Sequence, residues 1–103
     1  MSLIAEIEAS HEEFTALRRD IHAHPELAFQ ENRTSDVVAE RLASWGIEVH
    51  RGLGQTGVVG VLKGSKTQAG SEPRSIGLRA DMDALPMPEH NRFAHASKNP
   101  GRM

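Results

Sequence analysis

Apolar residues in the first part of the chain recur with helical spacing. The first set falls three, four or seven positions apart: Ile4, Ile7, Phe14, Leu17 and Ile21. These positions share one face, so the pattern predicts an amphipathic helix over residues 3–22. Pro25 ends the pattern, because proline cannot continue a helix and restricts the residue before it.

A second apolar stripe predicts a helix from Asn32 to Trp45. Its members again lie three or four residues apart: Thr34, Val38, Leu42 and Trp45. Asn32 or Thr34 is expected to cap the start of this helix. Gly46 follows at the position where a helix commonly ends on a residue with positive φ.

The hydrophobic period then changes from helical to alternating. Residues 47–50 and 58–62 are predicted to be two strands, and the glycine-containing turn between them indicates an antiparallel hairpin. A polar loop over 64–74 leads to a third predicted strand, Ser75–Ala80. From residue 83 the chain contains three prolines and little periodicity, so loop structure is expected.

The element order predicts an α/β fold with two helices, a β-hairpin and a third strand. In such a two-layer arrangement the apolar faces of the helices and of the sheet must both be buried, and this chain has enough secondary structure to bury only one side. A structureless tail of about 20 residues is also unusual in a compact domain. We therefore expect residues 1–103 to be an incomplete domain.

Composition and charge narrow the function classes. The net charge of −2 offers no basic field for nucleic acid or an anionic membrane. No apolar run approaches the ~18 residues of a membrane span, and the N-terminus lacks the pattern of a secretory signal. There is no cysteine, which excludes a disulfide framework and fits a cytoplasmic location.

Two carboxylates, Asp81 and Asp83, follow the third predicted strand. Residues two apart on a strand share a face, so both carboxylates are expected to face one pocket if the strand geometry continues. Close acids can bind a hard divalent cation, or one acid can orient a histidine ligand. A polar strand end that forms an Asx-type turn before Pro86 explains the same residues without any chemistry.

The sequence His22-Ala23-His24-Pro25-Glu26 has metal-ligand residue types, but two histidines are too few for a closed metal site. A polar helix end is the alternative interpretation of this stretch. Arg79, beside the two aspartates, is expected to be their ion-pair partner.

Three segments together resemble the bacterial N-acyl-amino-acid amidohydrolases, the hippurate-hydrolase-like and indole-acetyl-amino-acid-hydrolase-like metallopeptidases. The segments run from Leu17 to Leu27 with Glu31 and Thr34, from Thr56 to Gly60, and from Leu78 to Pro86. Their order and spacing cover nearly all of residues 14–103. The resemblance places the chain at the N-terminal part of a zinc-peptidase-like α/β/α catalytic domain, without the family's inserted dimerisation domain.

The resemblance also implies an activity. Members of this family hydrolyse the amide bond of an N-acyl amino acid, with two divalent metal ions (Zn or Mn) and a glutamate base. Two cations lower the pKa of a bound water and stabilise the developing oxyanion. Related peptidases end the equivalent strand with His-Xaa-Asp. Asp81 stands here at the His position and Asp83 at the Asp position, so both are candidate active-site residues.

The resemblance also implies that important residues are missing. In the family, the run Ser97–Met103 leads into a His-Xaa-Cys-Gly-His-Asp motif that binds metal, and this motif is absent here. We therefore expect an N-terminal fragment that binds no metal tightly and is inactive alone. The full-length enzyme would act on a small N-acyl amino acid and form a homo-oligomer, without nucleic-acid or membrane partners. The alternative is a non-catalytic interaction module that retains the start of this fold.

Overall fold

A computed structural model describes residues 2–66, 70 and 72–103. The chain divides into two compact units, which are described separately. Residues 1–28 and 83–103 form the terminal unit, and residues 29–82 form the hairpin unit. Positions 67–69 and 71 of the predicted 64–74 loop lie outside the described residues.

The terminal unit begins with two consecutive helices, α1 (Leu3–Ala9) and α2 (His11–Ala23). The prediction of one helix over 3–22 was wrong at Ser10, where φ is −96° and ψ is 2°. This backbone conformation turns the chain, so the apolar stripe is divided between two helix axes. Ile4 and Ile7 of α1 remain 69% and 63% exposed. The stripe therefore forms no buried face within the described residues.

The second part of the terminal unit, residues 83–103, has neither helix nor strand. Its backbone is instead ordered by hydrogen bonds between its two ends. The Leu85 amide donates to the Met103 carbonyl at 2.8 Å, and the Met103 amide donates to the Leu85 carbonyl at 3.1 Å. This reciprocal pair closes 83–103 into a loop, as the loop prediction allowed.

The hairpin unit contains α3 (Asn32–Ser44), β1 (Glu48–Leu53) and β2 (Gly57–Val61). The predicted second helix is confirmed, and Gly46 has the positive φ (74°) that was expected beyond its end. The Gly46 amide donates to the Ala43 carbonyl at 3.0 Å, which satisfies one of the open carbonyls of the last turn.

The two strands pair in antiparallel fashion, as predicted, with His50 opposite Val59 and Arg51 opposite Val58. The register shifts between Arg51 and Leu53, where Gly52 has φ of 84°. A glycine with positive φ at this point is typical of a β-bulge. β1 extends three residues beyond the predicted strand end at residue 50, and the bulge lies within this extension.

The predicted third strand, Ser75–Ala80, was wrong as a paired strand. Within the described residues this segment joins no ladder, and the sheet has only β1 and β2. Its apolar side chains stay in solvent, with Ile76 87% and Leu78 91% exposed. The sequence pattern of a strand was present, but the described chain offers no neighbouring strand. The α/β fold class is confirmed.

Few apolar side chains are buried in the described part of the chain. Ala23 of α2 and Ala39 of α3 are the buried hydrophobic residues, at 5% and 6% exposure. Buried polar residues are more numerous, namely Glu31, Thr34, Ser35 and Thr56. No described helix is long and apolar enough to cross a membrane. These four polar residues all belong to the hairpin unit, where buried polar contacts contribute much of the order.

The hairpin turn predicts the effect of a substitution at Gly57. A Cβ at this position would clash with the Leu53 carbonyl oxygen, inside van der Waals distance. Because that oxygen belongs to the backbone, it cannot move away without distorting the turn. We expect Gly57→Ala to destabilise the hairpin by about 1–3 kcal/mol. Amide hydrogen exchange at His50 and Val59 measures this change. The matched control is Gly64→Ala, where a Cβ meets no atom within 4 Å. Equal exchange rates in the two variants would contradict the prediction.

Candidate functional site

Asp81 lies in the hairpin unit, on the extended segment after β2. Its Oδ1 accepts a hydrogen bond from Arg79 Nε at 3.0 Å. Arg79 is therefore an ion-pair partner of Asp81, as expected, but the two side chains are 89% and 66% exposed. An exposed pair of this kind contributes at most about 1 kcal/mol.

Asp83 begins the second part of the terminal unit, and its side chain is exposed. The backbone beside it is fixed, because the amide of Ala84 donates to the carbonyl of Glu26 at 2.8 Å. Asp81 and Asp83 belong to different units, so the expectation that they share one pocket stays a prediction.

His22 and His24, at the end of α2, point to separate partners. His22 Nε2 lies 2.8 Å from Glu89 Oε2, and His24 Nδ1 lies 2.8 Å from the Asp20 carbonyl oxygen. An ionised carboxylate only accepts hydrogen bonds, so Nε2 of His22 carries the proton. The structure favours the polar helix end over a metal site for this stretch.

The Glu89 carboxylate is enclosed by donors. Its side chain is 4% exposed, and it accepts from His22 Nε2 at 2.8 Å, the Ser97 amide at 2.5 Å and Asn91 Nδ2 at 3.2 Å. The Ser97 amide contributes most to lowering the pKa of Glu89 from 4.5 to about 2, while burial opposes this effect. Glu89 therefore stays ionised at neutral pH.

Two aromatic rings lie beside this carboxylate. Phe93 stacks on His95 with ring centroids 3.9 Å apart and planes at 17°, and His22 lies 6.0 Å from both rings. Burial lowers the pKa of His95, and positive charge from Arg19 and His22 lowers it further. His95 is therefore neutral at pH 7 and packs as an aromatic ring against Phe93.

A second enclosed carboxylate lies in the hairpin unit. Glu31, directly before α3, accepts a hydrogen bond from the Thr56 hydroxyl at 2.8 Å, and the two residues are 7% and 8% exposed. Glu31 takes the N-cap position expected for Asn32 or Thr34, but its side chain makes no capping hydrogen bond. Instead it connects the start of α3 to the hairpin turn.

The described residues do not fit a divalent metal site. Within the described ranges no three histidine, aspartate or glutamate side chains lie close enough to hold one ion. His22 and Glu89 are occupied with each other, and Asp81 is paired with Arg79. Any step that depends on a metal ion would therefore need ligands other than these.

Sequence reasoning missed the role of Glu89. It lies 67 residues from His22, so no local spacing connects the two. Glu31 and Thr56 were noted only as parts of a motif, and their contact spans 25 residues. A carboxylate that is buried and hydrogen-bonded has no signature in the sequence, because its donors come from distant segments.

The Glu31–Thr56 contact leads to a test in the hairpin unit. We expect Thr56→Val, which keeps the side-chain shape but removes the hydroxyl, to leave the buried Glu31 carboxylate without this donor. The cost should be about 1–3 kcal/mol. Thr56→Ser keeps the hydroxyl and is the matched control. Amide exchange across β1 and β2 reports the difference, and equal protection in both variants would show that the contact is unimportant.

The low pKa of Glu89 predicts how the terminal unit responds to acid. A carboxyl group with a depressed pKa stabilises the folded state above pH 4.5, and this contribution disappears as the pH falls towards 2. A carbon-13 NMR titration should give a Glu89 midpoint near 2, and the Ser97 amide signal should change with it. Glu89→Gln identifies the resonance, because the signal is lost in that variant. A midpoint near 4.5 would contradict the lowered pKa of Glu89.

Comparison with known proteins gives consistent matches. No family model matches the chain. Hippurate hydrolase of Campylobacter jejuni is 47% identical over 98 residues, which cover 95% of this chain and 24% of that protein. An N-acyl-L-amino acid amidohydrolase of Geobacillus stearothermophilus is 51% identical over 89 residues, covering 85% of this chain and 22% of that protein. The chain thus spans about a quarter of the length of the curated relatives it matches.

A solved structure matches the fold as well. The crystal structure of the Bacillus subtilis YXEP protein, described as a dinuclear metal binding peptidase from the M20 family, superposes with a TM-score of 0.82 at 37% identity. The match covers 93% of this chain and 26% of that one. The resemblance predicted from the three motifs is confirmed. The chain is homologous to a part of the N-acyl-amino-acid amidohydrolases and has the fold of a part of an M20 peptidase.

Proposed function

We propose that this chain forms part of the catalytic domain of an enzyme that hydrolyses N-acyl amino acids to a carboxylic acid and an amino acid. The observation that carries the proposal is the extent of the likeness. Identity of 47–51% extends over 85–95% of the chain in relatives named for this type of activity. The superposed M20 peptidase supports the same assignment.

Within the chain, Asp83 is the first candidate for an active-site residue. Its carboxylate is exposed, and the backbone beside it is held by the hydrogen bond between Ala84 and Glu26. Asp81 is the second candidate, although its contact with Arg79 competes for the carboxylate. A rigid backbone with an accessible carboxylate is what a site needs to present a polar group to a substrate.

The description of the superposed peptidase as dinuclear supports two divalent cations in the proposed enzyme, and we propose that these are Zn or Mn. Such cations supply Lewis-acid activation of water when they are bound. The described residues do not gather three ligands, so residues outside this chain would hold the cations. We therefore propose that the 103 residues alone bind these metals weakly and do not hydrolyse N-acyl amino acids.

Partner and location follow from the same proposal. The substrate would be a small N-acyl amino acid, the whole enzyme a homo-oligomer, and neither nucleic acid nor membrane a partner. The absence of cysteine supports a cytoplasmic location. The alternative, a non-catalytic interaction module, is not favoured by any of the matched proteins.

A chimera tests the proposed activity. The segment of the Campylobacter jejuni hippurate hydrolase that aligns with this chain is replaced by this chain, and hydrolysis of N-benzoylglycine is measured. We expect activity that a chelator abolishes. Introducing Asp83→Asn should lower kcat/KM by about 10–100-fold, as loss of a group that orients an active site does.

The matched control for this chimera is Glu12→Gln on α2, an exposed position far along the sequence from both aspartates. It should leave kcat/KM unchanged. A folded chimera without activity would contradict the proposed function. Full activity of the Asp83→Asn chimera would remove Asp83 from the site while leaving the family activity in place.

A further inference from the structure

The stretch from His22 to Glu26 contains backbone carbonyls that need hydrogen-bond donors, and the proposed function does not involve these contacts. The stretch begins in the last turn of α2, where helix carbonyls have no partner within the helix. Unsatisfied carbonyls in a half-buried position are costly, so they require donors from elsewhere in the chain. His24 satisfies the Asp20 and Ile21 carbonyls locally, and residues 84–99 supply donors to the carbonyls of Ala23, Pro25 and Glu26.

The carbonyls of Ala23, the last residue of α2, and of Pro25 and Glu26, which follow the helix, each accept a hydrogen bond from this distant segment. The donors and acceptors are the Lys98 amide to Ala23 at 2.9 Å, Asn99 Nδ2 to Pro25 at 2.9 Å, and the Ala84 amide to Glu26 at 2.8 Å. Residues 23–26 therefore hold both ends of the 84–99 segment by hydrogen bonds.

Glu89 adds a charged contact in the middle of that segment. Its carboxylate binds the Ser97 amide on one oxygen and His22 Nε2 on the other. Hydrogen bonds to an ionised group are stronger than neutral ones. Glu89 thus connects α2 to residue 97, the start of the run that leads to Met103.

The end of this run lies beside the candidate active-site residue. Met103 and Leu85 exchange two backbone hydrogen bonds, at 2.8 and 3.1 Å, and Leu85 is two residues from Asp83. These hydrogen bonds connect residues 97–103 to the segment that carries Asp83.

Apolar packing does not account for this arrangement. In the described part of the terminal unit the buried residues are Ala23 and Pro25, both small. The hydrogen bonds of the 97–103 run therefore contribute most to its position, and the Glu89 side chain that accepts one of them is 4% exposed.

We propose that Glu89, together with His22, is a positioning residue that sets the geometry of Asp83 by holding residues 97–103 on the end of α2. The inference rests on the proposed function in one respect, since it takes Asp83 as the active-site residue. Glu89 itself touches no reacting group in this arrangement. Its effect passes through Ser97, Met103 and Leu85.

Hydrogen exchange and NMR on the intact 103-residue chain test the proposal. Glu89→Gln keeps the side-chain shape but removes the charge. We expect the Leu85, Ser97 and Met103 amides to exchange roughly tenfold faster or more. The carbon-13 shift of the Asp83 carboxyl should change as well. Glu12→Gln, an exposed control on α2, should change neither. Amides of β1 and β2 should keep their rates.

A second variant guards against a failure to fold. His22→Ala removes the other half of the contact from a helix position where alanine is favourable, and it should produce the same local pattern. Unchanged exchange at Leu85 and Met103 in both variants would overturn the proposal. So would uniform loss of protection throughout the terminal unit, which would indicate a general structural role. Because no substrate is used, such results would leave the amidohydrolase proposal to its own test.

Discussion

The Glu89 carboxylate is the constraint on which the terminal unit depends. A carboxylate whose side chain is 4% exposed must be satisfied by hydrogen bonds, because burying it without partners is strongly unfavourable. The donors that satisfy it come from α2 and from residues 91 and 97. Satisfying one charge therefore brings together segments that are far apart in the sequence.

The hairpin unit uses the same principle with a different pair. Glu31 and Thr56 connect the start of α3 to the turn of the hairpin, and both are buried. Apolar side chains contribute less, since Val59, Val61 and Leu62 all remain exposed. In both units, a hydrogen bond between residues far apart in the sequence determines how a loop packs against a helix.

Some of this arrangement was predictable from local chemistry. Gly46 ends α3 because glycine adopts positive φ without strain, and the short glycine-containing turn between β1 and β2 makes their pairing antiparallel. Ser10 was not predictable in this way. The hydrophobic stripe continues through it, and the break comes from its backbone conformation. Ser75–Ala80 shows the opposite failure, because strand propensity without a neighbouring strand produces only extended chain.

The sequence by itself determined the α/β class, the hairpin and, through three motifs in order, the relation to the amidohydrolases. These features depend on the periodicity of apolar residues and on residue identity, both of which can be read directly from the sequence. Only the tertiary structure decided that His22 lies against Glu89, and that residue 103 lies against Leu85. Contacts of this kind depend on distances between residues 18 to 67 positions apart, and a linear pattern of polar residues contains no information on which of them will meet.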